Sequence, residues 1–191
     1  MRRTLRSMVV AAAVLVAMLA LAAPVYARPI AHEPFSGTDS AIECGVYERE
    51  TTFGGWFMIK DATPATDGQF FYFQSHFEYT DVITNPDTGD FFTVTGSTFN
   101  KESQARQVEG SIYTYSQLEI GQPFEVRDMD GNLVLRDVGL IEFSYTFDTL
   151  GDSQPGGDNF DEEFVRLAGP HPGFDFDFCA MADELIGSDP T

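Results

Sequence analysis

Positive charge is scarce in this 191-residue chain: 11 Lys and Arg stand against 30 Asp and Glu, a formal net charge of −19. A field of that sign repels phosphate backbones, so nucleic acid and anionic lipid are poor partners, while cations, calcium and basic proteins suit it. The same acidity also serves solubility. Histidine is rarer still, with three copies and no zinc-ligand spacing among them. There is one tryptophan, Trp56, which gives little support for a carbohydrate-stacking platform. No Gly-x-Ser-x-Gly elbow occurs, so nucleophilic serine chemistry has no signal. The 30 acids guarantee many accidental carboxylate pairs, so their number says nothing for or against a glycosidase. Past residue 27 there is no apolar run long enough to span a bilayer, which takes about 20 residues. Internal repeats and low-complexity tracts are also missing.

The chain begins Met1-Arg2-Arg3-Thr4-Leu5-Arg6, and an uncharged run of Ala, Val, Leu and Met then extends from Met8 to Ala23. Pro24 breaks the run, and Val25-Tyr26-Ala27 places small residues where a signal peptidase reads. This arrangement predicts a cleavable signal peptide over 1–27 and a secreted, extracellular product. All 30 acids and eight of the basic residues follow it, a formal balance of −22. The two cysteines, Cys44 and Cys179, also follow it. In an oxidising compartment they are expected to pair as a disulfide bond.

Residues 28–41, rich in Pro, Gly and Ser, read as a flexible leader. Residues 42–187 read as a single β-domain and 188–191 as a tail. Within the domain, Phe71, Phe73, Phe77 and Tyr79 alternate with Tyr72, Gln74, His76 and Glu78. Ile141, Phe143, Tyr145 and Phe147 alternate with polar residues in the same way. Period-two alternation of this length marks half-buried strands. Over 108–120, Val108, Ile112, Leu118 and Ile120 fall on one side, and Glu109, Tyr113, Tyr115 and Glu119 on the other. Turn-rich segments at 85–90 and 128–132 predict hairpins, and Gly121-Gln122-Pro123 predicts a strand break. One short helix is expected near 178–186, with Asp175 or Asp177 as its cap. Strands in succession without intervening helices predict an all-β fold of about eight strands. The architecture is an antiparallel up-and-down β-barrel, or a β-sandwich, with a short C-terminal helix.

Several features together carry a resemblance: Ile42-Glu43-Cys44, the turn Thr84-Asn85-Pro86-Asp87-Thr88-Gly89 after an aromatic strand, Asp130-Gly131 before an apolar strand, and the ending Gly169-Pro170-His171-Pro172 … Asp177-Phe178-Cys179. In these the chain is similar to uncharacterised secreted β-domain proteins of high-GC, actinobacteria-like Gram-positive bacteria. The resemblance implies compartment and fold and transfers no catalytic residue.

Candidate chemistry is thin. His76 and Glu78 share a strand face and are the catalytic candidates, an acid–base pair if that face lines a barrel mouth. Asp128, Asp130 and Asn132 alternate oxygen donors around Gly131, and Asp158 and Asp161 sit in a second acidic stretch. These are calcium candidates, with no EF-hand glutamate at the right spacing. Phe71, Phe73, Phe77, Phe143, Tyr145 and Phe147 are candidates for lining a ligand cavity, since small barrels hold either packed side chains or one small ligand. The leading reading is a secreted non-catalytic domain that binds a protein or cell-envelope component. The alternatives are a carrier of a small apolar ligand and an enzyme with a barrel-mouth site. Neither nucleic acid nor a membrane span enters any of the three, and no cofactor other than calcium is implied.

Overall fold

The computed structural model describes residues 29–62 and 70–187. The signal peptide read over 1–27 and the tail 188–191 lie outside the described residues. Seven strands follow one another: β1 (Pro29–Glu43), β2 (Tyr47–Asp61), β3 (Phe71–Thr84), β4 (Phe91–Glu109), β5 (Ile112–Arg127), β6 (Leu133–Asp148) and β7 (Asp158–Ala168). Among the described residues a single 3-10 turn, Pro172–Phe174, and one helix, α1 (Phe178–Ile186), follow the strands. All seven strands form one sheet in sequence order, each antiparallel to the next. The fold is therefore all-β, antiparallel and up-and-down, with the C-terminal helix where the capping pattern places it. Among the described residues no ladder joins β7 back to β1, so the sheet is open.

Several expectations change. The segment read as a flexible leader is strand β1, paired with β2 from Pro29↔Lys60 to Glu43↔Tyr47. Its prolines misled the reading, because proline is tolerated where a strand has a neighbour on one side only. Pro34 sits opposite Trp56 on this edge strand. The break read at Gly121-Gln122-Pro123 is instead a bulge inside β5, between Gly121 and Phe124. There the Pro123 carbonyl accepts a hydrogen bond from the Tyr79 hydroxyl at 3.0 Å. Seven strands stand where about eight were expected.

Register sorts the residues by face. Arg49↔Ile83, Thr51↔Asp81 and Phe53↔Tyr79 join β2 to β3. Ile83↔Phe92, Asp81↔Val94 and Tyr79↔Gly96 carry the same face into β4. This inner face holds the core, and it has two ends. At one end Tyr47, Ile83, Phe92, Val94 and Val126 pack beneath Ala182 and Ile186 of α1. At the other end Ala62, Phe70, Ala105, Tyr113 and Tyr115 pack with Tyr72, Tyr145 and Phe147.

Helix α1 is too short to be stable alone, since isolated helices below about 12 residues are marginal. Local and tertiary contacts fix it. Asp177 caps it, accepting from the backbone N–H groups of Cys179 and Ala180. Asn85 closes the far end, donating its side-chain amide to the Ile186 carbonyl at 2.7 Å. The Tyr47 hydroxyl donates to Asp183 at 2.5 Å. The Cys44–Cys179 disulfide ties the helix to the β1–β2 turn, with Cα atoms 5.6 Å apart and 135 residues between them. In the chain-entropy model a loop of that length is worth roughly 5 kcal/mol. The double variant Cys44→Ser/Cys179→Ser should lose about that much stability in guanidinium denaturation. A loss below about 1 kcal/mol would show that α1 is held by its packing alone.

Candidate functional site

Strand alternation places Phe71 and Phe73 of β3 on the inner face, with Ile59 of β2 opposite Phe73. Together with Phe70, Tyr115 and Phe147 they line a cavity of about 290 Å³ at the end of the sheet away from α1. Pro155 and Gly156 of the β6–β7 loop complete its wall. The rings hold one another in place: Phe70 lies 5.3 Å from Tyr115 and 5.7 Å from Phe147, centroid to centroid. Tyr145 stacks behind Tyr115 at 5.3 Å. Such contacts favour offset and edge-on arrangements and stiffen an apolar site.

Among the described residues one charged side chain lines this cavity, Glu102 of β4. Its Oε2 accepts the Phe73 backbone N–H at 2.6 Å. Burial pushes the carboxyl up to about 7, against the pull of that N–H group. Removing the carboxylate from water without a cation beside it disfavours the charged form. Tyr115 is pushed up to about 12, by burial first and then by the charge of Glu102. Its hydroxyl donates to Asn159 at 3.3 Å.

A second cavity, of about 270 Å³, lies beside α1 and is lined by Tyr79, Ile83, Val94, Phe124, Phe176 and Phe178. Its charged side chains make hydrogen bonds within the fold, although Arg49 Nε is buried without a partner among the described residues. Arg49 reaches Glu43 at 2.6 Å and Asp39 at 3.4 Å, and Thr51 donates to Asp81 at 2.6 Å.

Between the two cavities is a sealed polar cluster. His171 Nδ1 donates to Asp137 Oδ1 at 2.6 Å, and Oδ2 of the same carboxylate accepts the Gly173 N–H at 3.1 Å. The two side chains are 3% and 2% exposed. Nε2 of His171 has no partner among the described residues and faces Gly139, where an added Cβ would lie 2.7 Å from it. The pair resembles the base and orienter of a catalytic triad. It is closed to substrate, however, and its work is to strap residues 169–174 across β6. The Val138 N–H donates to the Pro170 carbonyl within the same strap, at 3.1 Å.

Of the residues expected to line a cavity, Phe71, Phe73 and Phe147 do so, and Tyr145 backs Tyr115. Phe77 instead stacks on Phe35 and Tyr79 near the middle of the sheet, and Phe143 packs on Phe164. His76 and Glu78 lie on the opposite face from Ser75 and Phe77, with His76 Nε2 3.3 Å from Ser97 Oγ and 3.6 Å from Glu78. Trp56 and Phe99 flank them, so this pair does not open into the cavity. The Asp128 carboxylate accepts from the backbones of Asp130 and Asn132 and from the Asn132 side chain, which makes it the organiser of a hairpin turn. Asp158 and Asp161 stand in register with Asp148 and Thr146 at the exposed edge, remote from Asp128. Among the described residues no three His, Cys, Asp or Glu side chains converge as a metal set.

No family model, curated protein or solved structure matches this chain.

Reading the sequence for chemistry missed Glu102 and Asp137. A signal was present in both cases. Each charge falls in phase with inward-facing residues, Asp137 between Leu135 and Gly139, and Glu102 after Thr98 and Asn100. The reading of 108–120 as one strand is corrected: Val108 and Glu109 end β4, a turn at 110–111 reverses the chain, and Glu109 pairs with Ile112 at the start of β5. It is Tyr113 and Tyr115 that are buried, while Ile120 is 40% exposed.

Asp137→Ala leaves two buried donors unpaired and should cost about 3 kcal/mol. Denaturant midpoints would measure the loss, and faster hydrogen exchange at Val138 would show release of the strap. Glu102 titrates near 4.5 when free and near 7 in the fold. Between those pH values the folded state keeps a proton the unfolded state has lost, so stability falls as pH rises through this window. Allowing for partial exposure, the loss is on the order of 2 kcal/mol. Comparing the protein with Glu102→Gln at pH 5 and pH 8 isolates it, and equal slopes would mean a solvated carboxyl.

Proposed function

We propose that this protein is a non-catalytic binding domain that works outside the cytoplasm and holds a small, mainly apolar ligand. The observation that carries the reading is the cavity of about 290 Å³ with five aromatic rings and one carboxyl in its wall. Ligand sites are concave, mainly apolar, carry a few placed polar groups and start at about 300 Å³. Binding is favoured over turnover because the two candidate acid–base pairs lie elsewhere, His76–Glu78 on the opposite face and His171–Asp137 in a sealed cluster. The Cys44–Cys179 disulfide and the signal-like start support an oxidising compartment.

A protein or envelope partner is a second reading, favoured by β7. Every residue of this edge strand is exposed, including Phe160 and Phe164 at 59% and 49%. Exposed apolar patches on an unpaired edge are sites of association.

The neutral fluorophore N-phenylnaphthylamine tests the cavity. The protein should bind it with enhanced emission. Phe73→Ala, at a partly exposed ring that the core does not need, should weaken binding about tenfold while leaving the denaturation midpoint nearly unchanged. Lack of binding by the unmodified protein, or equal affinity in the variant, would sink the reading.

A further inference from the structure

We propose that the ligand of this cavity carries an ammonium group and that Glu102 is its counter-ion, an inference that rests on the cavity reading above. Three observations of geometry and charge converge. First, among the described residues Glu102 is the one charged residue in the lining, and no Lys, Arg or His accompanies it. Second, the carboxyl is held in a defined orientation. Its Oε2 is anchored by the Phe73 N–H, and among the described residues its other oxygen takes no hydrogen bond. Third, the surrounding wall is aromatic, with Phe71, Phe73, Tyr115 and Phe147 within one small volume. Ring faces attract cations most strongly where water is excluded.

The neighbouring groups reinforce the sign. From β5 and β6 the phenols of Tyr115 and Tyr145 feel the charge of Glu102. From β7, Glu162 acts on the same two phenols, and Asn159 accepts from Tyr115. On β2, Asp61 is in register with Phe71. From β3 comes a backbone N–H and no side-chain charge. These ionisable neighbours are all acids or phenols. A carboxylate or phosphate ligand would therefore add an anion to an anionic site. A neutral alcohol would leave the buried carboxyl without a compensating charge. An ammonium supplies that charge, and the net acidity of the chain draws cations toward the site.

The proton balance follows. Below neutrality the empty site holds Glu102 partly protonated, as burial requires. Seating an ammonium ion on it ionises the carboxyl and sends that proton to solvent. Above neutrality the carboxyl is already charged and no proton is released.

The test uses displacement of N-phenylnaphthylamine from the full disulfide-bonded protein by three compounds of one shape: 2-phenylethylamine, 2-phenylethanol and 3-phenylpropionate. At pH 8 the amine should displace the probe at least tenfold more effectively than the carboxylate, with the alcohol between them. Glu102→Gln should erase the advantage of the amine over the alcohol and leave alcohol binding intact. At pH 6, calorimetry of the amine in two buffers of different ionisation enthalpy should report proton release, and Glu102→Gln should abolish it. If the probe binds but amine and alcohol displace it equally in the unmodified protein, the ammonium assignment is overturned and the cavity reading stands. If the probe itself does not bind, both fall.

Discussion

A lone sheet of long strands has nothing to bury its inner face against except itself and whatever the chain ends supply. At about 3.3 Å per residue, strands of 14 to 16 residues run roughly 50 Å, far longer than one nine-residue helix can cover. Everything else in the structure answers that shortage of covering surface. At one end α1 lays Ala182 and Ile186 on Phe92, Val94 and Val126. The disulfide holds this cover in place, because a helix of this length would dissociate readily from an otherwise open sheet. At the other end there is no helix, and the sheet covers itself with rings from its own strands.

The middle of the inner face is solved differently. Here, and toward the cavity end, the sheet accommodates polar groups at inward positions, and each meets a different environment. Asp137 accepts two N–H donors and is consumed in strapping the 169–174 segment. Gly139 makes room for the strap: its φ is +149°, and a Cβ there would fall 2.2 Å from the Ala168 carbonyl oxygen. Glu119 has its carboxyl raised by burial and by the charge of Asp137, with His171 opposing. Glu102, in the cavity, has one N–H group and no cation beside it, and burial raises its carboxyl to about 7. An inward charge whose partner is missing is a place where a ligand improves the fold's own electrostatics.

The up-and-down β fold, the helix and its Asp177 cap were legible because periodicity and capping are local properties. The alternation of Phe71, Phe73 and Phe77 names the inward residues of β3 without any knowledge of their partners. The first strand was not legible, because what orders 29–43 is the ladder to β2 and not its own Pro-rich and Gly-rich composition. Nor was the bulge at Gly121–Phe124, since turn residues in sequence look alike whether the chain reverses or only kinks. The aromatic half of the candidate site could be read in outline: Phe71, Phe73 and Phe147 were in view, whereas Glu102 was hidden among 30 acids. Residue counts cannot separate a solvated carboxylate from a buried one. Phase against the strand period could have done so.

Topology also limits what the open seam can become. Six antiparallel steps leave β1 and β7 running in the same direction, so direct closure would need a parallel ladder between two edges. Both edges are acidic: β1 carries Glu33, Asp39 and Glu43, and β7 carries Asp158, Asp161, Glu162 and Glu163 against a single Arg166. Like charges facing across a ladder are destabilising. Bulges in the β6–β7 pairing, between Phe164 and Arg166 and between Asn159 and Asp161, further disturb the regular edge. The same features resist pairing with a second copy. The seam is thus held open by parity and charge, and the aromatic cavity lies toward its β7 side, where Asn159 meets Tyr115. An open edge beside an aromatic cavity gives a small ligand a route that a closed barrel of this size would deny.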